Sequence, residues 1–222
     1  MLTVHHLNDS RSQRILWLLE ELEVPYEIKK YQRLPTLLAP PELLAVNPLG
    51  KAPVIVDGEV NLAESGAIIE YIMRKYGKGK LQPAEGTQAA IDDLYYLHYS
   101  EGTIMPLFVL RFICNAVPEQ SPWFIRWLLS MVFNQLSAQF VDVEIKKNID
   151  MIESHLSKKD WLAGGSEPTS ADFSMSYAME IIEKYKLGGP GGASHAYVKR
   201  MQARPAYKRA LERGGEYTYA LA

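Results

Sequence analysis

A chain of 222 residues with a formal charge of -2 is long enough for two domains and lacks a basic footprint for nucleic acid, so neither DNA nor RNA is expected as a partner. Its one cysteine, Cys114, excludes an intrachain disulfide and suits a reducing compartment. The opening stretch from Met1 to His6 runs into Asn8, Asp9 and Arg11 without the apolar core of a signal peptide, which points to the cytoplasm.

Taken in chain order, Thr3-Val4-His5-His6-Leu7 reads as a strand, with His5 and His6 packing on its opposite faces. From Ser10 onward the pattern turns helical, with Ile15, Leu18, Leu19 and Leu22 on one face. Ser10 and Gln13 have capping-box spacing, so Ser10 can simply satisfy orphan helix donors. Arg14 is expected to tie this helix to neighbouring carboxylates. No cysteine occupies the junction, which disfavours thiol–disulfide exchange by the protein itself.

The next informative stretch is Asn47-Pro48-Leu49-Gly50-Lys51-Ala52-Pro53-Val54. Two prolines bracket a short loop and Gly50 lets it bend. Pro53 enters the strand Val54-Ile55-Val56 in the manner of a proline behind a cis peptide bond, leaving Ala52 to pair with an extended peptide ligand. Asp57-Gly58 then reads as a hairpin turn, and Val60 to Leu62 as the return strand. Glu64-Ser65 falls at its end and opens a helix through Ile68, Ile69, Ile72 and Met73. A helix N-terminus offers free N–H groups and a positive dipole, so Ser65 can hold a carboxylate while Glu64 pairs an amino group. Together they suit a zwitterionic amino-acid head; the plain alternative is that Ser65 only caps the helix and Glu64 is solvated.

These two motifs resemble the glutathione-binding half of the glutathione transferase family. The resemblance implies that Ala52 and Pro53 pair with the cysteinyl backbone of glutathione, that Glu64 and Ser65 bind its γ-glutamyl end, and that Lys51 lies close to the tripeptide. Ser10-Arg11-Ser12-Gln13-Arg14 is similar to the serine-type pattern, in which a serine donates a hydrogen bond to the glutathione sulfur. Ser10 is then the first catalytic candidate and Ser12, on the first helical turn where it can face the same cleft, the second; the proline that many relatives carry in or near this turn is missing, which loosens the register between the two serines. Some serine-type relatives grip the glycyl carboxylate with a histidine and a lysine ahead of the proline loop. Here residues 34–41 are uncharged, which leaves Lys51, Gln32 or Arg33 for that task. Glutathione is implied as a cosubstrate, with no resident cofactor and no metal.

A polar Gly/Pro linker over residues 78–87 separates residues 1–77, a thioredoxin-like α/β domain by resemblance, from residues 88–222, which read as all-helical. The most apolar region, Ile104 to Phe133, is interrupted by Arg111, Pro118, Glu119, Pro122 and Arg126, so no transmembrane segment is expected. Further on, Trp161-Leu162-Ala163-Gly164-Gly165 and Pro168-Thr169-Ser170-Ala171-Asp172 resemble the family's folding signature, with Thr169 and Asp172 as a reciprocal helix cap.

Family architecture implies an apolar pocket for a hydrophobic electrophile between the Ser10 loop and the first helices of the second domain. Tyr99, Met105, Phe108, Phe112, Trp123 and Phe124 are its candidates, although the same stripe suits core and dimer packing. Arg111 is expected in a surface salt bridge. Glu101, near Tyr95, His98 and Tyr99, is the candidate to reach across a homodimer interface toward the γ-glutamyl amine. The leading expectation is a glutathione transferase that conjugates electrophiles or reduces organic peroxides. A non-catalytic scaffold of the same fold and a ligandin-type carrier are the alternatives.

Overall fold

The computed structural model describes residues 1–34, 36, 38–189 and 192–221. Pro35 and Leu37, inside the uncharged segment noted above, lie outside the described residues.

Strand β1 (Leu2–Leu7) lies inside a four-stranded sheet of order β2-β1-β3-β4. It pairs in parallel with β2 (Tyr26–Tyr31), Leu2 opposite Tyr26, and antiparallel with β3 (Val54–Asp57), Val4 opposite Ile55. A turn with Gly58 at φ +62° returns the chain as β4 (Val60–Ala63). The parallel pair needs a crossover, and α1 (Gln13–Glu21) supplies it. Unlike a surface helix, α1 is buried from Gln13 through Glu20, because helices of the second half cover the side that turns away from the sheet. The short α2 (Pro41–Leu44) precedes the proline loop, and α3 (Ser65–Tyr76) follows β4. One acceptor pins α3 to the hairpin: Asp57 Oδ2 accepts from Tyr71 (2.9 Å), Tyr76 (2.6 Å) and Lys75 (2.7 Å).

The second half opens at Thr87, whose Oγ1 accepts the Ala90 N–H and caps α4 (Gln88–Tyr99). A π-helical turn, Ser100–Ile104, joins α4 to α5 (Met105–Gln120) without a break. Pro106 stands just beyond it and has no N–H to give to the Gly102 carbonyl, which is where a helix widens most readily. A second π turn, Ser137–Val141, joins α6 (Trp123–Leu136) to α7 (Asp142–Leu156). Helices α8 (Ser170–Lys184), α9 (Ala193–Ala203) and α10 (Pro205–Gly214) complete the chain. Helix α8 is the axis of the core: Ala171, Phe173, Met175, Ala178, Met179 and Ile182 are buried. Reciprocal bonds lock α4 to it, from Ser174 Oγ to the Leu97 carbonyl and from Ser100 Oγ to the Ser174 carbonyl. At its start Asp172 accepts the Thr169 N–H (2.8 Å), the Leu162 N–H (3.0 Å) and the Tyr197 hydroxyl (2.8 Å). This is the expected cap, extended into an anchor for the preceding loop and α9.

The continuous helix Gln88–Gln120 contains an 18-residue window of mean hydropathy 1.2, long and apolar enough by length and composition to cross a membrane, with 28% of that window buried in the chain; core helices meet the same measure. The apolar character continues into α6, which has no buried residue at all. Trp123 is 83% exposed and Trp127 66%, so Trp123→Ser will shift stability by less than about 0.5 kcal/mol, which scanning calorimetry checks.

Candidate functional site

The loop between β1 and α1 turns on Asp9, at φ +46°, and delivers Ser10 and Ser12 into a buried hydrogen-bond cluster. The Ser10 hydroxyl donates to the Leu7 carbonyl at 2.7 Å, lies 2.7 Å from Ser12 Oγ and accepts the Ser12 N–H at 3.2 Å. Ser12 Oγ is in turn 2.8 Å from His6 Nδ1 and 3.3 Å from the Leu7 carbonyl. Helix α1 begins at Gln13, so Ser12 rather than Ser10 holds the cap position, and the Ser10–Gln13 box does not form. The Gln13 amide is buried with no partner among the described residues. Burial, helped by the nearby charge of Lys30 and opposed by Asp9, lowers the His6 pKa to about 4, so the ring is neutral at pH 7.

Ser10 lines a cleft of about 490 Å³, whereas Ser12 is fully buried behind it. Across the cleft stands the proline loop. Asn47 builds its turn, accepting the Leu49 N–H on its side chain and the Gly50 N–H on its carbonyl. Gly50 adopts φ +60° against the Leu44 side chain, where a Cβ would approach within 2.9 Å. The Ala52–Pro53 peptide is cis, as expected, and Lys51 and Ala52 both line the cleft. Arg11 and Arg33 line it too, giving three cationic side chains in a wall that also carries the side chains of Leu34, Leu38, Leu44 and Leu49.

Glu64 and Ser65 are not part of that lining. They stand next to the loop all the same: the β3–β4 register sets Val54 opposite Ala63, which brings Glu64 beside Pro53. Glu64 holds φ +72°, an unfavourable conformation for a residue with a Cβ, at the cap of α3, and Ser65 is buried in the first turn.

Glu101 lies in the π turn after α4 and is taken up by its own chain. Arg14 Nη1 donates to it at 2.7 Å and Arg11 Nε at 3.0 Å. Arg14 is completely buried, its pKa lowered by desolvation and supported by Glu101. The ion pair therefore ties α1 to the helical half, the structural role expected of Arg14. Arg111 pairs with Asp142 at 2.7 Å.

The structure does not bring the six apolar candidates together. Tyr99, Met105 and Phe108 are buried in the core, while Phe112, Trp123 and Phe124 lie exposed on the α5–α6 hairpin, and none of the six lines the cleft. The six come from two stretches of helix: on the continuous α4–α5 helix Tyr99, Met105 and Phe108 turn toward the core, whereas Trp123 and Phe124 lie on α6, beyond the break in the helix at Ser121 and Pro122. The aromatic that does line the cleft is Tyr177, from the middle of α8. Its hydroxyl donates to the Asp9 carbonyl at 3.3 Å, Arg11 and Arg14 sit over its ring, and Tyr219 meets it edge-on. Nothing in the local sequence marks Tyr177, because its role depends on how α8 docks on the β1–α1 loop.

Set beside known proteins, residues 1–74 match the family described as glutathione S-transferase, N-terminal domain. The chain is 34% identical over 223 residues to glutathione S-transferase 3 of Schizosaccharomyces pombe, covering all of this chain and 91% of that protein. It is 30% identical to glutathione S-transferase 1 of Saccharomyces cerevisiae, over 96% of this chain and 95% of that one. Among solved structures, a glutathione S-transferase from Actinobacillus pleuropneumoniae superposes with a TM-score of 0.78 at 32% identity, over 96% of this chain and 93% of its own. An α/β half built on β1-α1-β2 and β3-β4-α3, carrying a cis-proline loop and followed by a helical half, defines the class. The chain belongs to the glutathione S-transferase family.

Proposed function

We propose that this protein binds glutathione in the cleft between Ser10 and the Lys51–Pro53 loop, holds it as the thiolate and adds it to hydrophobic electrophiles. The observation that carries this reading is that Ser10 lines one cleft together with the cis-proline loop and several cationic side chains. A free cysteine-type thiol titrates near 8.5. Lowering that by about two units takes roughly 2.7 kcal/mol. A hydroxyl donor aimed at a thiolate supplies much of it, since bonds to charged acceptors are worth about 1.5–3 kcal/mol. The nucleophile belongs to glutathione, and Ser10 stabilises it without any triad.

In this reading Ala52 pairs with the cysteinyl backbone. Ser65 and the N-terminus of the 12-residue α3 take the γ-glutamyl carboxylate, Glu64 takes its amine, and Lys51 or Arg33 takes the glycyl carboxylate. Tyr177 offers the electrophile a flat surface on the helical side. The same thiolate would also serve organic peroxide reduction. A cytoplasmic homodimer fits the exposed apolar stripe of Ile91, Leu94 and Tyr95 on α4, with the second copy as its cover.

The test is an ultraviolet thiolate difference spectrum of bound glutathione against pH, comparing the parent with Ser10→Ala. A thiolate band at neutral pH that falls at least about ten-fold in Ser10→Ala supports the transferase. Glutathione bound with no thiolate band in the parent would instead assign the protein to the scaffold or carrier class.

A further inference from the structure

His6 and Ser12 form a buried chain of polar groups that ends on Ser10. Ser10 has one hydroxyl proton. If that proton is to point at a ligand sulfur, it has to leave the Leu7 carbonyl, now 2.7 Å away, and the carbonyl then needs another donor. Ser12 Oγ, 3.3 Å from the same carbonyl, is positioned to replace it. Ser12 can do so only if its own proton is not held by the imidazole 2.8 Å away.

The neutral ring exists as two tautomers with opposite effects. With the proton on Nε2, Nδ1 is an acceptor: it draws the Ser12 proton toward itself and leaves Ser10 bonded to the Leu7 carbonyl. With the proton on Nδ1, the ring donates to Ser12 Oγ, Ser12 donates to the Leu7 carbonyl, and the Ser10 proton is released toward the cleft. Desolvation keeps the ring neutral, so a doubly protonated ring does not compete at pH 7. Both His6 and Ser12 are buried, and their bonds stay sheltered from exchange with water.

We propose that His6 is a positioning residue: through Ser12, its Nδ1–H sets the direction of the Ser10 hydroxyl donor. The proposal rests on the thiolate-stabilising reading of Ser10. It makes Ser12 a relay rather than a second candidate for contact with the sulfur.

The experiment titrates the thiolate of bound glutathione in the parent, Ser10→Ala, Ser12→Ala, His6→Phe and His6→Asn, with glutathione affinity measured in parallel by calorimetry. Ser12→Ala and His6→Phe are expected to lower the thiolate fraction at neutral pH by about ten-fold, with affinity changed by less than about three-fold. The asparagine amide of His6→Asn can place an N–H where Nδ1–H stood, so this variant should recover the fraction to within about three-fold of the parent. A thiolate titration in Ser12→Ala that coincides with the parent, while Ser10→Ala has lost the band, would overturn the relay and leave the role of Ser10 intact. Equal losses in His6→Asn and His6→Phe would also overturn it, because packing rather than the Nδ1 donor would then be at work. An unchanged band in Ser10→Ala would remove the underlying reading instead, and the relay with it.

Discussion

Trp17→Ala will cost this protein about 3–5 kcal/mol of stability, read as a drop in the urea midpoint with the slope unchanged. Trp17 is fully buried on α1, with its ring edge-on to Phe173 of α8 at 4.5 Å and to Tyr207 of α10 at 5.7 Å. Truncation leaves a cavity that three helices line, and none can collapse into it without leaving its other partners. It also removes the indole N–H from Glu21, a carboxylate further held by Arg204. Because Trp17 belongs to the α/β half but packs on the helical half, fluorescence and circular dichroism should report one coincident transition in both proteins. A loss under about 1 kcal/mol, or two separated transitions, would show that the halves are not joined in this way.

The second large effect is a contribution to the pH dependence of stability that runs against the usual acid sensitivity. Glu180 is buried in α8, accepting from the hydroxyls of Tyr207 and Tyr217 and from the Gln202 amide. Burial raises its pKa from 4.5 to about 7, against those bonds and the charge of Arg14. Asp172 is raised in the same way, from 3.8 to about 6. Between the ordinary and the raised values the folded state keeps a proton that the unfolded chain has lost, so the contribution of these two groups to stability falls as pH rises through this window. For Glu180 the fall from pH 4.5 to 7 is on the order of 3 kcal/mol. Below this window Asp57, Glu20, Asp92 and Glu183, held below their ordinary values by partners, reverse the trend, because their contribution is lost as pH falls. Within the window His6, lowered from 6.5 to about 4, and His5, also lowered, oppose the two carboxylates, because the unfolded chain takes up protons there that the folded rings refuse. The carboxylate contribution is therefore read as a difference: denaturation of the parent and of Glu180→Gln at a series of pH values will show the stability of the parent falling relative to the variant from pH 5 to 7. A difference that stays constant over that range would refute the assignment.

What the sequence could tell depended on how local each feature is. The cis-proline loop, the Gly58 turn, the start of α3 at Ser65 and the Thr169–Asp172 cap each arise from a few neighbouring residues, and all stand where the pattern puts them. Register then brings Glu64 beside Pro53 with no further information. The six apolar candidates followed from family architecture rather than from local pattern, and where each side chain points depends on how α4, α5 and α6 pack, which neighbouring residues do not specify. Tyr177 and His6 were missed because their neighbours come from distant parts of the chain. A strand histidine reads as packing until Ser12 is known to lie 2.8 Å from its Nδ1. Glu101 was singled out from its helix, but its partners, Arg11 and Arg14, lie on the first loop and helix.

The chain's single cysteine is buried in α5, where the packing that covers it also hides its sulfur from dissolved reagents. Maleimides, aromatic disulfides and haloacetamides added to the folded protein with glutathione will therefore consume the tripeptide's sulfhydryl alone. Thiol counting in such mixtures needs no cysteine-free background, and covalent labelling of the polypeptide becomes a direct signal that the fold has opened.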